Sequence, residues 1–546
     1  MIEIGISAFY HDSAVCLLKN GKVISAAEEE RFTGVKHDSS FPYNALEYVL
    51  SWNKLSWEDV DRVYWYENPI LKKDRVLKTF KKYPFRTFFS KRKFLKEYET
   101  NDPLNLLDNL GFYGPVRFVP HHRSHANFAY YTSPYKDAAI LTIDGVGEWD
   151  TVSIYSGKNE TISEKLSIKY PNSLGMLYST VTAFLGFKPN EGEYKVMGLA
   201  PYGDPSVYFD KLEKVLCTTS NKFFVDTSYF PWEYTDRIMF KKKFSKLLGI
   251  LPRLPDEPIT DEHKNLAASL QKLYEREFLR LVKTAKHITG SKNLCIGGGC
   301  AYNGVANSKA YKYFDSVFVP FAPSDAGSAI GATLNKHIKL TPYLGPSFSN
   351  REIKVILEKF PTRVVYYKLK EEQLFSKTAE LLAANKVVGW FQGSMEFGAR
   401  ALGNRSILAS AINPLMRDRL NKVIKKRESF RPFAPVVLEK QSKHYFDNKE
   451  NVPYMNQVVR CKTKRIPSAK HIDDSSRVQT VNIDQNYRLY RLLEEYKAIT
   501  GVPILLNTSF NFKDQTITLS PFQSLVRFIN SEMDVLVMNN YLIFKK

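Results

Sequence analysis

Cysteine is scarce in this 546-residue chain: Cys16, Cys217, Cys295, Cys300 and Cys461 are scattered, odd in number, and form no C-x-x-C pair. That pattern excludes a disulfide frame and a zinc ribbon and points to a reducing compartment. No apolar run approaches the ~20 residues that span a bilayer. The opening MIEIGISAFY also has neither a basic n-region nor a cleavage site. The expectation is a soluble, cytoplasmic protein with no membrane partner, acting as a monomer or homodimer. Acidic residues are also few for the length: 57 Asp and Glu against 78 Lys and Arg leave a formal charge of +21. A field of that sign draws polyanions such as nucleic acid, anionic polysaccharide or a membrane surface. A Lys-rich composition with no such partner gives the same number.

The length predicts two or more domains, each able to bury its own core. The opening MIEIGISAFYHDSAVCLLKNGKVISAAEEERF reads as a strand, an Asn-Gly hairpin turn and a second strand. A second such unit is DAAILTIDGVGEWDTVSIYSG, where Asp144 and Gly145 close one strand and Trp149 to Tyr155 form the next. Two hairpin-first units, each followed by helical segments, suggest an α/β fold with a duplicated domain of the actin and sugar-kinase kind, which holds a nucleotide between its halves. Residues 261–290 have helical periodicity and lead into NLCIGGGCAYNG, a buried strand and a glycine turn. Gly297, Gly298 and Gly299 would let backbone approach a ligand closely and open a helix whose first N–H groups favour an anion. The Pro-, Gly- and Ser-rich stretch TPYLGPSFSNR, residues 341–351, marks the domain boundary. The two domains are therefore expected at 1–345 and 346–546.

Three of the ten histidines lie in HHRSHANFAYYTSP, residues 121–134. On a helix, His121 and His125 share a face at the spacing that lets two rings grip one metal ion. His122 competes as the partner three residues before His125. A polar helix start with no metal is the plainer reading, and the stretch alone does not decide.

Several blocks occur together in one order: HDSAVCL, HHRSHA, LTIDGVGEW, EYKVMGLAPYG, GGGCAYNGVAN, FAPSDAGSAIGA, FGARALGNRSI, KKRESFRPFAP, SSRVQTV and LLNTSFN. As a set they resemble the NodU/CmcH/TobZ-type O-carbamoyltransferases over nearly the whole chain. The resemblance implies a first domain similar to the threonylcarbamoyl-transfer proteins, with the actin-like ATPase fold, and a C-terminal YrdC-like α/β domain. It implies that carbamoyl phosphate and ATP, the latter with Mg2+, give carbamoyl adenylate in the second domain. The carbamoyl group is then passed to a hydroxyl in the first.

It also implies that His121 and His125 bind a metal ion together with Asp144 and Asp325. Two imidazoles and two carboxylates suit Fe2+, Mn2+ or Zn2+. His122 is then expected to orient a ligand or cap the helix. His11 is the candidate base for the acceptor hydroxyl, with a loop histidine bonded to Asp12 as the alternative. Asp226 is a weaker candidate for holding or deprotonating the acceptor. Lys195 and Glu193, with Gly297, Gly298, Gly299 and Asn303, would line the nucleotide cleft, a structural salt bridge being the alternative for the first pair.

In the second domain Lys425, Arg477 and Ser509 match the family's catalytic positions. Arg400, Arg427, Arg431 and Asn507 would help bind triphosphate and carbamoyl phosphate. The sequence departs from the family at 512–517, where FKDQTI replaces a Gly-Glu-Pro-like turn and leaves the role of that loop in doubt.

Family members carbamoylate antibiotic sugars, cephems, lipo-oligosaccharides and toxins, and phage-type relatives act on hydroxymethylated pyrimidines in DNA. Residues 71–96, LKKDRVLKTFKKYPFRTFFSKRKFLK, interleave cations with aromatic rings and contain one acid, Asp74. That is the composition of a nucleic-acid groove. It is equally that of an amphipathic helical insert with its lysines in water. The lead acceptor is 5-hydroxymethylcytosine in DNA or nucleotide, the alternative a sugar, polysaccharide or natural product. A protein that binds nucleic acid without catalysis is the reading from another class.

Overall fold

The computed structural model describes residues 1–235 and 237–546, and the side chains of residues 88–90 lie outside that description. The expected aromatics Phe88 and Phe89 therefore fall outside the described side chains. The chain divides into two units, Met1–Ile24 with Ser39–Leu340 and Ser25–Asp38 with Thr341–Lys546.

One sheet is formed by β1 (Ile2–Ser7), β2 (Ala14–Lys19), β3 (Lys22–Glu28, of which residues 22–24 lie in the first unit), β4 (Arg62–Trp65) and β5 (Val116–Phe118), in the order β3-β2-β1-β4-β5. The first turn is the expected one: Asn20 and Gly21 both have positive φ, 53° and 73°, as a two-residue hairpin turn requires. A second sheet contains β6 (Asp137–Ile143), β7 (Asp150–Lys158) and β8 (Thr161–Lys169). After a small hairpin of β9 (Leu216–Thr218) and β10 (Phe223–Val225), it is completed by β11 (Asn293–Gly297) and β12 (Ser316–Phe318), in the order β12-β11-β6-β7-β8. In each sheet the first strand is antiparallel to the second and parallel to the fourth, and the fourth is parallel to the fifth. The same path is traced twice, which is the duplication the two hairpins predicted.

The second unit holds β13 (Val364–Lys368), β14 (Val388–Phe391), β15 (Arg405–Ser410), β16 (Ala434–Leu438), a separate pair β17 (Val458–Arg460) and β18 (Ser475–Arg477), β19 (Gln479–Val481), β20 (Ile504–Ser509), β21 (Val535–Met538) and β22 (Tyr541–Lys545). Apart from that pair they make one mixed sheet, β13-β22-β21-β14-β15-β20-β16-β19. Phe391, Ile407, Ile504 and Leu506 enter the core on one face, and Trp390, Leu408 and Leu505 the core on the other. A sheet covered on both faces reads as continuous apolar runs rather than alternation. Both units are thus α/β, as expected.

Ser25–Asp38 belongs to the second unit, which nothing in the sequence signalled. The Ala26 N–H donates to the Leu344 carbonyl at 3.1 Å. The buried Arg31 donates to Glu28 Oε2 at 2.9 Å and to the Gly398 carbonyl at 2.9 Å, and the Gly398 N–H returns to Glu28 at 3.2 Å. The partners of this guanidinium offset the cost of burying its charge.

The basic and aromatic segment is a pair of helices, Pro69–Lys82 and Pro84–Thr100, parted where Pro84 begins the second. Phe80 packs edge-on against Phe94 at 5.8 Å, and Tyr83 against Tyr234 at 5.3 Å. Lys72, Lys78, Lys82 and Lys93 are paired with Glu67, Asp74, Glu233 and Glu97. Phe85, by contrast, is 98% exposed. The segment is helical, and Phe80, Phe94 and Tyr83 pack against other aromatic rings of the protein. Among the described residues no helix is long and apolar enough to cross a membrane.

Candidate functional site

The helix His121–Tyr131 begins just after Pro120. Its first N–H, from His121, donates to both carboxylate oxygens of Glu148, at 2.9 and 3.1 Å, and Asn68 donates to the same group at 2.6 Å. An acid at this end complements the helix dipole. One helical turn then brings His121 Nε2 and His125 Nε2 to 3.1 Å from one another. Asp144, just past β6, puts Oδ2 at 3.1 Å from His121 and 2.9 Å from His125. Asp325 opens the helix Asp325–Gly331, with Oδ1 at 3.4 Å from His125 and 3.6 Å from His121. All four residues are buried, and one ligand atom from each lies within 4.8 Å of the others.

Two observations test whether this cluster fits a cation. Neither oxygen of the fully buried Asp325 makes a hydrogen bond among the described residues, although a buried carboxylate without partners is costly. The imidazoles also hold protons unusually well. Burial works against the charged ring of His121, yet Asp325 and Asp144 outweigh it and raise its pKa to about 9. Burial opposes His125 in the same way, and Asp144 and Asp325 still hold it up. Burial pushes Asp144 up, but the two histidines pull it well below the usual carboxylate range. The site is short of positive charge, and a divalent ion would displace those protons. Ser328 Oγ, 3.0 Å from His125 Nδ1, leaves Nε2 for the centre. His122 neither joins the cluster nor caps the helix. Its Nδ1 lies 2.8 Å from Thr142 Oγ1, and burial, followed by His121, lowers its pKa well below the ordinary value.

His11 stands on the turn between β1 and β2, flanked by Phe9 and Asp12 at φ 71° and 53°, unusual for residues other than glycine. Its Nδ1 is 3.1 Å from Asp12 and its Nε2 3.8 Å from Asp325 Oδ2. The contact to Asp12 therefore exists, and it aims the other nitrogen at the cluster. Burial lowers the His11 pKa, but Asp325 and Asp12 more than offset this and raise it to about 10.

The glycine turn abuts the same place. Gly298 has φ 87°, a Cβ there would lie 2.2 Å from the Ile143 carbonyl, and one at Gly299 would lie 3.1 Å from Asp144 Oδ1. Gly297 approaches the His125 carbonyl at 3.0 Å by the same measure. The turn is followed by a 3-10 turn, Gly299–Tyr302, and the short helix Gly304–Lys309, rather than by a helix opened directly by the glycines. Asn303 caps that helix through Ala306 and exchanges amide hydrogen bonds with Gln271 at 3.1 and 3.0 Å. Glu193 accepts from Ser179 at 2.6 Å and from the Asn190 N–H at 2.9 Å, while Lys195 Nζ lies over the Phe187 ring at 5.5 Å. Asp226 is exposed, accepts from the Ser228 N–H at 2.9 Å and stands 3.9 Å from Lys243. Its contacts are local, and the structure does not bring it to the cluster.

In the second unit a π-helical turn, Arg419–Ile424, delivers Lys425 into the interior. Its Nζ donates to the Ser509 carbonyl at 2.8 Å and to Asn511 O and Oδ1 at 2.5 and 2.7 Å, and Ser509 Oγ donates to the same Asn511 oxygen at 2.7 Å. Burial, then the charges of Arg427 and Arg431, depress the Lys425 pKa well below its ordinary value. Arg427 donates to Asn421 at 2.8 Å and lies over Phe433, and Arg431 pairs with Glu428 at 3.3 Å. Asn507 donates to Gln479 at 2.7 Å, while its own Oδ1 is buried with no partner among the described residues. Arg477 ends β18, and Arg400 is half-buried between β14 and β15. The lysine is met by Asn511, the last residue of the block LLNTSFN, just before the divergent loop. Glu148, Ser328 and Asn511 were not singled out from the sequence: all three lie inside quoted blocks, but no spacing marks their partners.

The chain thus joins a duplicated α/β unit with a buried His and Asp cluster to an α/β unit with a buried lysine. The chain belongs to the carbamoyltransferase family: its residues 3–334 match the family Carbamoyltransferase N-terminus and residues 379–545 the Carbamoyltransferase C-terminus. It is 38% identical to the uncharacterized protein sll1178 of Synechocystis, covering 99% of this chain and 96% of that one. It is 34% identical to the nodulation protein NolNO of Sinorhizobium fredii, over 99% of this chain and 80% of the relative. Full-length HypF in its phosphate- and nucleotide-bound form is a distant structural neighbour, at 12% identity and TM-score 0.33 over 61% of this chain and 54% of that one.

Proposed function

We propose that this carbamoyltransferase is an ATP-dependent O-carbamoyltransferase working in two steps. In the second unit, carbamoyl phosphate and ATP, with Mg2+, give carbamoyl adenylate with loss of phosphate and pyrophosphate. Lys425, Arg477 and Ser509 are the catalytic groups there, and Arg400, Arg427, Arg431 and Asn507 bind phosphate oxygens. The low proton affinity of Lys425 supports this reading, because an arriving polyphosphate would let the lysine take up its charge. In the first unit the carbamoyl group passes to a hydroxyl, with Gly297, Gly298, Gly299, Asn303 and Lys195 toward the nucleotide.

The observation that carries the proposal is the Asp325 carboxylate, set between the histidine pair and His11. His121, His125, Asp144 and Asp325 would hold a divalent ion, which supplies charge stabilisation to the departing phosphate when bound. With a divalent ion held by Asp325, that carboxylate would no longer keep a proton on His11, and Nε2 would then take the proton of the acceptor hydroxyl as the oxygen attacks the carbamoyl carbon and AMP leaves, while Asp12 steadies the ring through Nδ1.

The lead acceptor is 5-hydroxymethylcytosine in nucleotide or DNA, supported by the +21 charge and by exposed cations such as Lys81, Lys91 and Arg92. A base in a duplex would have to be flipped out or met single-stranded. A sugar hydroxyl is the second reading, supported by similarity to relatives named as nodulation proteins. The test is mass spectrometry of hydroxymethylcytosine-containing DNA, free nucleotide and sugars after incubation with enzyme, ATP, carbamoyl phosphate and metal. Gain of one carbamoyl unit on the base supports the lead, and gain on sugars alone replaces it with the second reading. Pyrophosphate release that does not require carbamoyl phosphate would overturn the two-step scheme itself.

A further inference from the structure

Two basic segments far apart in the sequence meet on one ring of the first unit. Arg86, in the first turn of the helix Pro84–Thr100, has its guanidinium 4.9 Å from the centre of Tyr234. Lys241, just before the helix Lys242–Leu248, has its Nζ 5.5 Å from the centre of the same ring. Carbonyls hold Lys241 in place, those of Thr227 and Ser228 at 3.1 and 3.2 Å. A buried acid makes the joint: Lys82 Nζ and the Tyr83 hydroxyl donate to Glu233 at 2.8 and 3.0 Å. Asp226, 3.9 Å from Lys243, offsets one charge of the second segment. Lys81, Arg92 and Lys242 are exposed and have no carboxylate partner among the described residues.

Beside this junction Phe85 is 98% exposed. Arg92, two turns further along, lies on the same side of the helix. The packing of the hairpin does not use that ring, since Phe80 meets Phe94 at 5.8 Å and Tyr83 meets Tyr234 at 5.3 Å. An exposed ring among unpaired cations is the pairing that holds a single nucleic-acid strand, the ring stacking on a base and the cations following the phosphates. A lipid surface carries charge of the same sign, but it asks for a continuous apolar face, and here Phe80, Phe94 and Tyr83 pack within the protein.

Resting on the nucleic-acid reading of the acceptor proposed above, we propose that this face docks single-stranded DNA, with Phe85 as the stacking ring and Lys81, Arg86, Arg92, Lys241 and Lys242 on the phosphates. The acceptor is then a polymer rather than a free nucleotide.

The test uses the full-length protein without ATP or carbamoyl phosphate, and a labelled oligothymidylate of about 20 nucleotides, longer than the site of a single-strand-binding fold. Binding is followed by fluorescence anisotropy over a range of salt. The wild type should bind with an affinity that falls as salt rises. Phe85→Ala should weaken binding about 5- to 150-fold, the effect of losing one stacked base, and leave the salt dependence unchanged. Phe85→Trp should restore it. Arg92→Gln and Lys242→Gln should each reduce the slope of log affinity against log salt by about 0.7, the value for one phosphate of a single strand. Thermal unfolding should not change, because all three side chains are exposed. No binding by the wild type at low salt would overturn the proposal, as would binding that none of these variants alters. Capture of phosphatidylserine vesicles, lost in Phe85→Ala, by a protein that ignores the oligonucleotide would also overturn it and assign the face to a lipid surface. Binding through Phe85 with no carbamoyl group added to hydroxymethylcytosine in the strand would uphold the docking face and remove the acceptor reading.

Discussion

The two candidate sites are built from opposite charge. Around the helix His121–Tyr131, two buried carboxylates draw protons onto His11, His121 and His125. Around Lys425, burial and then Arg427, Arg431, Lys36 and Arg527 drive the proton away. A cation would suit the first cluster and an anion the second, which is the pairing of ion and phosphate that the proposed two-step reaction requires.

The strongest way to break this contrast is His125→Ala. Transfer to acceptor should fall about a thousandfold or more with loss of bound metal, while carbamoyl-phosphate-dependent pyrophosphate release stays within a few-fold. Metal analysis beside a pyrophosphate assay reads both, and a parallel fall would merge the two sites into one. Lys425→Ala is the mirror experiment. Pyrophosphate release should drop on the order of 100- to 1000-fold, with metal content unchanged. Ser328→Ala sharpens the first site by removing the partner of His125 Nδ1, and equilibrium dialysis should find the metal bound about 10- to 100-fold more weakly. An unchanged affinity would show that the serine does not orient the ring. The smallest effect belongs to Glu148→Gln, which keeps an acceptor for the His121 N–H but removes the charge. Denaturant unfolding should record a loss of about 0.5–1 kcal/mol, and no loss would assign that helix start to packing alone.

What could be read from the sequence was local. The Asn20–Gly21 turn, the pair of hairpins and the helix carrying His121 and His125 each follow from residues within one or two turns of each other. Asp144 and Asp325 could be named only through the family resemblance, because no periodicity links them to histidines 19 and 200 or more positions away. Glu148 and Ser328 failed for the same reason, with partners 27 and 203 residues distant. The π-helical turn before Lys425 has no composition signature, so only the family resemblance, and not the basic run around it, marks that lysine. Residues 71–96 stayed ambiguous because a cation beside a ring fits a groove and an amphipathic helix alike. Glu67 and Glu233, which pair with Lys72 and Lys82, lie outside the segment, so its own composition could not show which of its cations are paired.

The crossing of Ser25–Asp38 into the second unit has a consequence in time. Arg31 meets Glu28 almost as soon as both are made, but its other partner, Gly398, is 367 residues further along. At about 5–20 residues per second, a ribosome needs roughly 20–70 s to cover that interval. For that period a charged guanidinium destined for the interior has only part of its setting, and a stretch of chain made early is among the last to be finished. It is the early segment that waits, and the second unit is completed around a piece of chain made long before the rest of it.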